Sequence, residues 1–254
     1  MSTVKDQAIC IRSVNYSESS QIVTLFGRGN GKIRAIAKGS RRGRGKFGVG
    51  IDVLTGGAVI FVPARNESTL ATLTEFDVQE PFPGLRRDLL ALHCGQYMCE
   101  LLGQFTEDLD PHEALYGAFA AALEQLQATD RAEVTLLGFE LILLHEIGLS
   151  PVWNRCSSCQ RDLPAKGRIY FSSSAGGVLC RDCEPAVIEK RFVEPHVLQI
   201  LQNPTMAKRA SRQNVIEAHG LLSYHQRELA GKQTAVMKFV NQLLHNHTGE
   251  SVNE

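Results

Sequence analysis

The pattern of hydrophobic positions divides the chain into a strand-rich beginning and a helical remainder. Through residue 80 the apolar residues occur in short runs rich in Val, Ile, Thr and Phe, and Gly, Asn, Ser or Pro separates one run from the next. The runs are "AICIR", "QIVTLF", "KIRAIAK", "AVIFV" and "LATLTEFDV". Asn30-Gly31, between the second and third runs, indicates a hairpin turn. Five short strands predict a small β-barrel over residues 1–80.

After "EPFPG", residues 80–84, the apolar positions follow a helical period. Three helices are predicted before the cysteine-rich segment and three after it. The third helix is apolar almost all round, which indicates a buried central helix, and Gly148 is its expected C-terminal cap. The six predicted ranges are Leu85–Leu102, Pro111–Leu126, Ala132–Ile147, Pro195–Leu201, Ser211–Glu228 and Gln233–His245.

Residues 156–183 interrupt the helical period and contain four of the seven cysteines. Cys156 and Cys159 form one C-x-x-C pair, and Cys180 and Cys183 form a second pair. This is the spacing of a structural zinc site with four thiolate ligands, and "RIYFSSSAGGVLC" predicts two short strands that fold the second pair onto the first. Four sulfurs close the coordination sphere, which disfavours a catalytic zinc; a redox dithiol is the alternative. The remaining cysteines are predicted core residues: Cys10, Cys94 and Cys99.

Together these patterns predict a multidomain fold that contains both α and β structure. An OB-fold barrel is expected over residues 1–80, and an α-helical domain over residues 81–152 and 184–248. A zinc ribbon is expected as an insertion over residues 153–183.

The charges are unevenly distributed although the formal net charge of the chain is zero. The formal net charge is +4 for residues 1–80, −8 for residues 81–150 and +4 for residues 151–254. Between Arg28 and Gly50 there are eight Lys or Arg residues and no Asp or Glu. Local fields steer binding, so a polyanionic partner is compatible with the neutral sum.

This basic stretch begins on the third strand, where Lys32, Arg34 and Lys38 alternate with apolar residues and are therefore expected on the outer face. It continues into the glycine-rich loop "KGSRRGRGKFG". The loop matches neither a dinucleotide-binding fingerprint, which needs a helix directly after it, nor a phosphate-binding P-loop. A basic strand with a cationic loop is typical of OB-folds that bind single strands; a solvated loop is the alternative. Phe47 and Phe26 are candidates for stacking on a base, with core packing as the alternative.

Further cations outside this stretch are weaker candidates for phosphate contact. One lies on another loop of the barrel, and three cluster near the start of the long C-terminal helix, where an ordinary helix surface is an equal alternative. These candidates are Arg65, Lys208, Arg209 and Arg212. The sequence shows neither a run of 18 or more apolar residues nor a secretory leader, so we expect a cytoplasmic protein with no membrane partner.

Several segments, in order, resemble the bacterial RecO family of recombination mediators and DNA repair proteins over nearly the whole chain. They are "IRSVNYSESSQIVTLF", "GKIRAIAKGSRR" followed by "KFG", "EPFPGLRRDL", "GFELILLHEIG", "CSSCQRDL…YFSSSAGGVLCRDC" and "YHQRELAGK". The loop "SRRGRGKFG" is richer in glycine than is usual in the family. The resemblance implies the OB-fold, the helical domain and the ribbon with a structural Zn²⁺.

The resemblance also implies a function without bond chemistry. Such proteins bind single- and double-stranded DNA and anneal complementary strands. They contact the C-terminal tail of the single-strand-binding protein, and act with RecR to load RecA in the RecF pathway, which places them at the nucleoid in the cytoplasm. By position, the implied DNA-contacting residues are Lys32, Arg34, Lys38, Arg41, Arg42, Arg44 and Lys46.

Two further hypotheses belong to other functional classes. One is a non-catalytic adaptor that acts mainly through protein contacts of its helical domain and zinc ribbon. The other, a zinc enzyme, is disfavoured by the closed four-thiolate site. The carboxylates of the acidic middle segment are expected to repel DNA and so to confine it to the barrel face and the C-terminal helices.

Overall fold

The computed structural model describes residues 2–42, 47, 50–64, 66, 70–80, 82–164 and 167–246. The chain divides into two compact units, Met1–Thr129 and Asp130–Glu254. The first unit contains the barrel and two helices, and the second contains the remaining helices and a small sheet.

Five strands form a closed barrel in the order β1-β2-β3-β5-β4. All neighbours are antiparallel except β3 and β5, which are parallel and pair only between residues 35–37 and 71–73. This is the strand order of an OB-fold, which confirms the predicted architecture. The strands are β1 (Val4–Asn15), β2 (Gln21–Gly27), β3 (Gly31–Ala37), β4 (Gly56–Val62) and β5 (Ala71–Glu80).

Alternation places the apolar residues of β2 and β3 inside the barrel. Val23, Leu25, Ile33 and Ala35 are fully buried, and their polar neighbours on each strand point outward. The predicted hairpin between β2 and β3 is present, with Gly27 opposite Gly31.

Two helices complete the first unit: α1 (Leu89–Phe105) and α2 (Glu113–Leu126). Sequence periodicity placed the start of α1 at Leu85, but residues 83–87 form a 3-10 turn and Asp88 caps the helix by accepting a hydrogen bond from the Ala91 backbone N–H at 2.8 Å. The division expected at residue 80 separates strands from helices, whereas packing groups both helices with the barrel.

The second unit combines four helices with a three-stranded antiparallel sheet in the order β7-β6-β8. The helices α3 (Ala132–Glu146) and α5 (Arg212–Ala230) pack against each other around apolar residues that include Leu137 and Leu222. Gly148, at φ 72°, follows α3 as predicted and donates its backbone N–H to the His145 carbonyl. The other elements are α4 (Pro195–Gln202), α6 (Ala235–Asn246), β6 (Ile169–Ser172), β7 (Gly177–Leu179) and β8 (Arg191–Val193).

The sequence did not predict strand β8, which lies in a range expected to be helical. Three residues are too few to show a period of two, and the strand is defined only by its pairing with residues 169–171 of β6, from Arg191 opposite Phe171 to Val193 opposite Ile169.

Candidate metal centre and nucleic-acid interface

The four cysteines predicted as metal ligands converge at one point. The sulfurs of Cys156, Cys159, Cys180 and Cys183 all lie within 4.8 Å of one another, and those of Cys159 and Cys180 are 3.8 Å apart. A tetrahedral zinc ion with Zn–S bonds of about 2.3 Å requires sulfurs roughly 3.8 Å apart. The four side chains can therefore hold a metal ion, and their spacing is compatible with zinc.

Local backbone geometry turns each C-x-x-C pair towards this point. The Gln160 N–H donates to the Cys156 carbonyl at 2.9 Å, with Gln160 itself at φ 62°, and the Cys183 N–H donates to the Cys180 carbonyl at 3.1 Å. The hairpin β6–β7 brings the second pair onto the first, and the Cys180 N–H donates to the Cys156 sulfur at 3.4 Å. The predicted hairpin thus joins the two pairs.

The thiols of this cluster differ strongly in acidity. Burial raises the pKa of Cys156, but backbone hydrogen bonds led by that of Cys180 outweigh it and lower the pKa to about 6. Hydrogen bonds with Cys159 and Cys180 raise the pKa of Cys183 to about 12. Crowded thiols resist ionising together, and a bound dication would offset their mutual repulsion. This donor set therefore fits a closed, four-thiolate metal site.

The N-terminal end of the basic strand is neutralised by residues 106–113, which we call the acidic strap. The Lys32 ammonium donates to the carbonyls of Gly103 at 3.0 Å and Thr106 at 2.5 Å, and lies 3.6 Å from the Asp108 carboxylate. The Arg34 guanidinium binds the same carboxylate at 2.5 Å. The Lys32 side chain is only 13% exposed, whereas that of Arg34 is 53% exposed.

The acidic strap lies along β3 where β5 does not pair with it. The Leu109 N–H donates to the Lys32 carbonyl at 2.9 Å, as an added strand would. At the turn before Lys32, Gly31 has φ 63°, and a side chain there would collide with the Asp110 carbonyl. The strap therefore requires glycine at this position.

This contact adds a role for the acidic middle segment that the sequence did not predict. Its carboxylates were expected to repel DNA towards the barrel face, yet Asp108 lies on that face and Glu113 binds Arg28 of the barrel at 2.6 Å. Part of the negative charge of the segment thus serves to pair the barrel's own cations.

The cations just beyond the C-terminal end of β3 have different surroundings from Lys32 and Arg34. Lys38, Arg41 and Arg42 are exposed, and within the described part of the chain no carboxylate pairs with any of them. Arg41 donates instead to the carbonyls of Ser17 and Glu18, at 3.2 and 3.4 Å. We call Lys38, Arg41 and Arg42 the cationic end. The other predicted contacts of the barrel, Arg44, Lys46 and Arg65, lie outside the described residues.

A buried glutamine holds both stems of the glycine-rich loop. The Gln21 side-chain oxygen accepts from the Ser40 hydroxyl at 2.9 Å and from the Ile51 N–H at 3.1 Å, and its amide donates to the Ile51 carbonyl at 3.2 Å. The loop stems are therefore fixed to β2.

The two phenylalanines proposed for base stacking lie against the core. Phe26 is fully buried, with its ring centroid 6.4 Å from that of Tyr116 on α2, and Phe47 is half-buried against the barrel interior. The core alternative therefore applies to Phe26.

At the cationic end of the barrel, the aromatic ring that is more exposed than those of Phe26 and Phe47 belongs to Tyr16, which sequence reasoning missed. It lies in the turn between β1 and β2 and is 64% exposed. Arg12 was missed as well: a bulge in β1 between Cys10 and Arg12 shifts the register, so that the exposed Arg12 lies opposite Thr24. The polar turn "NYSESS" was the available signal for Tyr16, whereas nothing in the local pattern marks the bulge.

In the second unit, the predicted C-terminal cations have two different environments. Arg212 donates to the Asp130 carbonyl at 2.5 Å and lies 3.6 Å from the fully buried carboxylate of Glu133, which also binds Arg131 at 2.7 Å. Lys208 and Arg209 are exposed and precede α5. Arg212 therefore ties α5 to the start of α3, whereas Lys208 and Arg209 face solvent.

Among the residues that the structure describes, no helix combines the length and the apolar character needed to cross a membrane.

Comparison with known proteins places these features in a family. The model "Recombination protein O N terminal" matches residues 1–82, and "Recombination protein O C terminal" matches residues 86–238. Curated relatives are each named DNA repair protein RecO. That of Rhodopirellula baltica is 37% identical over 180 residues, which cover 70% of this chain and 66% of the relative, just under two thirds of its length. That of Anaeromyxobacter sp. strain K is 34% identical over 187 residues, which cover 74% of this chain and 73% of the relative.

Proposed function

This chain belongs to the RecO family of DNA repair proteins, and we propose that it is a non-catalytic, DNA-binding mediator of homologous recombination. Family membership supports the role in DNA repair and recombination. The finer proposal is that the chain binds single- and double-stranded DNA, anneals complementary strands and helps to load RecA onto DNA coated by single-strand-binding protein.

The observation that carries this proposal is the cationic end of the barrel. Three exposed cations lie together on an OB-fold, and within the described residues none has a carboxylate partner. Unpaired cations gain most from a phosphate backbone, because each contact releases condensed counterions and no internal ion pair has to break. Of the residues first implied by the resemblance, we propose Lys38, Arg41 and Arg42 as phosphate contacts, together with Arg44 and Lys46 of the same loop.

The proposed mechanism of annealing is electrostatic. Cations that hold two backbones close to each other raise the effective concentration of one strand near the other, so pairing becomes nearly intramolecular. Base pairing then supplies the specificity, and no side chain has to transfer a proton or form a bond.

For the metal centre we propose a structural Zn²⁺ held by Cys156, Cys159, Cys180 and Cys183. Zinc would supply folding free energy to the small β6–β7–β8 sheet and would have no catalytic position, because four thiolates complete its tetrahedron.

The proposed partners are those that the family resemblance implies. They are RecR and the C-terminal tail of the single-strand-binding protein, with RecA engaged indirectly, at the nucleoid in the cytoplasm. The adaptor hypothesis shares these partners but makes DNA affinity incidental, so an experiment on the cationic end separates the two.

The test is annealing of two complementary fluorescent DNA strands, each coated with the organism's single-strand-binding protein. The test variant is Lys38→Ala/Arg41→Ala/Arg42→Ala. The control, Lys5→Ala/Lys232→Ala/Lys238→Ala, removes the same charge from exposed positions elsewhere. We expect wild type and control to accelerate annealing and the test variant to lose the acceleration. Equal annealing by both variants would favour the adaptor.

A further inference from the structure

Tyr16 is the most exposed aromatic residue in the described part of the chain. Its ring presents a large apolar surface to water, which has a free-energy cost that a ligand could remove. Tyr16 lies at the cationic end, and its surroundings there indicate which kind of ligand would cover the ring.

The turn that carries Tyr16 is held firmly. The Tyr16 and Ser17 N–H groups both donate to the Ser20 carbonyl, at 3.0 and 3.2 Å, and the Ser17 hydroxyl accepts from the Ser20 N–H at 3.2 Å. Arg41 binds the carbonyls of Ser17 and Glu18 within the same turn. The ring is therefore attached to an ordered turn that the cationic end itself braces.

The neighbouring sheet surface combines apolar and cationic rows. Next to the turn, Val14, Ile22 and Ile36 lie opposite one another across β1, β2 and β3, and Val14 is exposed. The following row consists of Arg12, Thr24 and Arg34, with both arginines exposed. Apolar and aromatic surface interleaved with cations fits a single strand, whose bases stack while its phosphates pair with the cations.

We propose that Tyr16 stacks on an unpaired base of single-stranded DNA whose phosphates contact Arg12 and the cationic end. This inference rests on the proposed function and adds to it a contact that distinguishes single strands from duplex. The bases of a duplex are already stacked in pairs, so the Tyr16 ring gains nothing from them, whereas the cations attract both DNA forms.

The test compares Tyr16→Ala and Tyr16→Phe with wild type in fluorescence anisotropy titrations. The probes are an oligonucleotide single strand, the same length of duplex, and a single strand with abasic sites throughout. We expect Tyr16→Ala to weaken binding of the normal single strand roughly 5- to 100-fold. The salt dependence should stay unchanged because no charge is removed, and Tyr16→Phe should retain the wild-type affinity. The affinity for duplex should be the same in all three proteins, and so should the affinity for the abasic strand.

Tyr16→Trp provides an independent readout. Binding of the single strand should quench the fluorescence of the new indole, whereas duplex should not; the signal from Trp153 is measured on wild type and subtracted. Absence of quenching by a single strand that binds with wild-type affinity would overturn the inference.

The failure of this inference is distinguishable from that of the proposed function. If Tyr16→Ala binds single strands as wild type does, or weakens all three probes equally, base stacking by Tyr16 is wrong. If removal of the cationic end also leaves every affinity unchanged, the proposed DNA-binding surface itself is wrong.

Discussion

The two ends of strand β3 have similar side chains and different surroundings. At the N-terminal end, Lys32 and Arg34 meet Asp108 of the acidic strap, and Lys32 also binds two helix-end carbonyls. At the C-terminal end, the described part of the chain provides no carboxylate partner for Lys38, Arg41 or Arg42. Alternation along the strand tells which way a cation points, but a distant segment decides whether that cation is free to bind DNA.

We propose that this difference separates cations with a structural role from cations that bind DNA. The Lys32 side chain is only 13% exposed, so its hydrogen bonds to carbonyls are strong, and its removal deprives the carbonyl of the buried Thr106 of a charged donor. An exposed cation without an acid partner adds little to folding stability and remains available to phosphate. We therefore expect substitutions at the two ends to affect different measurements.

The largest expected effect lies outside the barrel, at the candidate metal centre, and should leave the cations at both ends of β3 unaffected. Cys156→Ser removes one of the four proposed metal ligands, and because binding of a structural metal contributes to folding, the stability of the second unit should fall by about 4 kcal/mol or more. Chemical denaturation together with metal analysis measures both changes. Ser158→Ala, between the two ligands, is the control and should bind metal as wild type does. Under conditions in which the variant remains folded, its DNA affinity should persist; metal-free protein of unchanged stability would contradict the structural role.

A smaller effect should separate the two ends of the strand directly. Lys32→Ala should lower the free energy of unfolding by about 2 kcal/mol, because the carbonyls of Gly103 and Thr106 lose a charged donor. DNA affinity should change little. Lys38→Ala is the matched control and should do the reverse, with stability within about 0.5 kcal/mol of wild type and weaker DNA binding. Urea denaturation and anisotropy titration on both variants measure the pattern, and the opposite pattern would refute the division.

Removing the carboxylate of Asp108 should reduce the difference between the two ends of β3. Asp108→Asn frees Arg34 from its carboxylate while Lys32 keeps its carbonyl partners. The N-terminal end then resembles the cationic end, so affinity for single-stranded DNA should rise a few-fold and the salt slope should steepen by about 0.7 units. Asp110→Asn has the same change of charge, and its carboxylate pairs with His112 and not with β3. An equal rise in both variants would mean that only net charge matters.

The smallest expected effect concerns the exposed pair of Arg28 and Glu113, whose side chains are 59% and 68% exposed. Solvent screens such a pair, so its coupling energy should be below about 0.5 kcal/mol. A double-mutant cycle with alanine at both positions measures this energy by denaturation. A coupling above about 1 kcal/mol would mean that the pair stabilises the strap's position on the barrel.

Local patterns predicted the parts of the fold that depend on local chemistry. Short runs rich in β-branched and aromatic residues, separated by turn residues, located the five barrel strands. The two C-x-x-C pairs identified the four cysteines that can hold a metal ion, because this spacing lets two sulfurs reach one ion. The boundary at Leu85 was wrong by four residues, since the capping side chain of Asp88 outweighs the apolar pattern before it.

The missing parts depend on contacts between residues far apart in sequence. Arg34 and Asp108 are separated by 74 residues, so no window along the chain shows that they pair. The apolar pattern of α3 conceals two fully buried carboxylates, Glu133 and Glu140. Glu140 accepts a hydrogen bond from His219 of α5 at 2.8 Å, which raises the pKa of that histidine against the opposing effect of burial. Such pairs become recognisable only when the helices are packed.

The central claim is that DNA is held by the cationic end and not by the whole basic strand. The most direct test measures affinity for single-stranded DNA against salt concentration in three proteins: wild type, Lys38→Ala/Arg41→Ala/Arg42→Ala, and Lys32→Ala. We predict that the triple variant loses about 2 units of the logarithmic salt slope, whereas Lys32→Ala retains the wild-type slope. An unchanged slope in the triple variant, or a loss of about 0.7 units in Lys32→Ala, would contradict the claim.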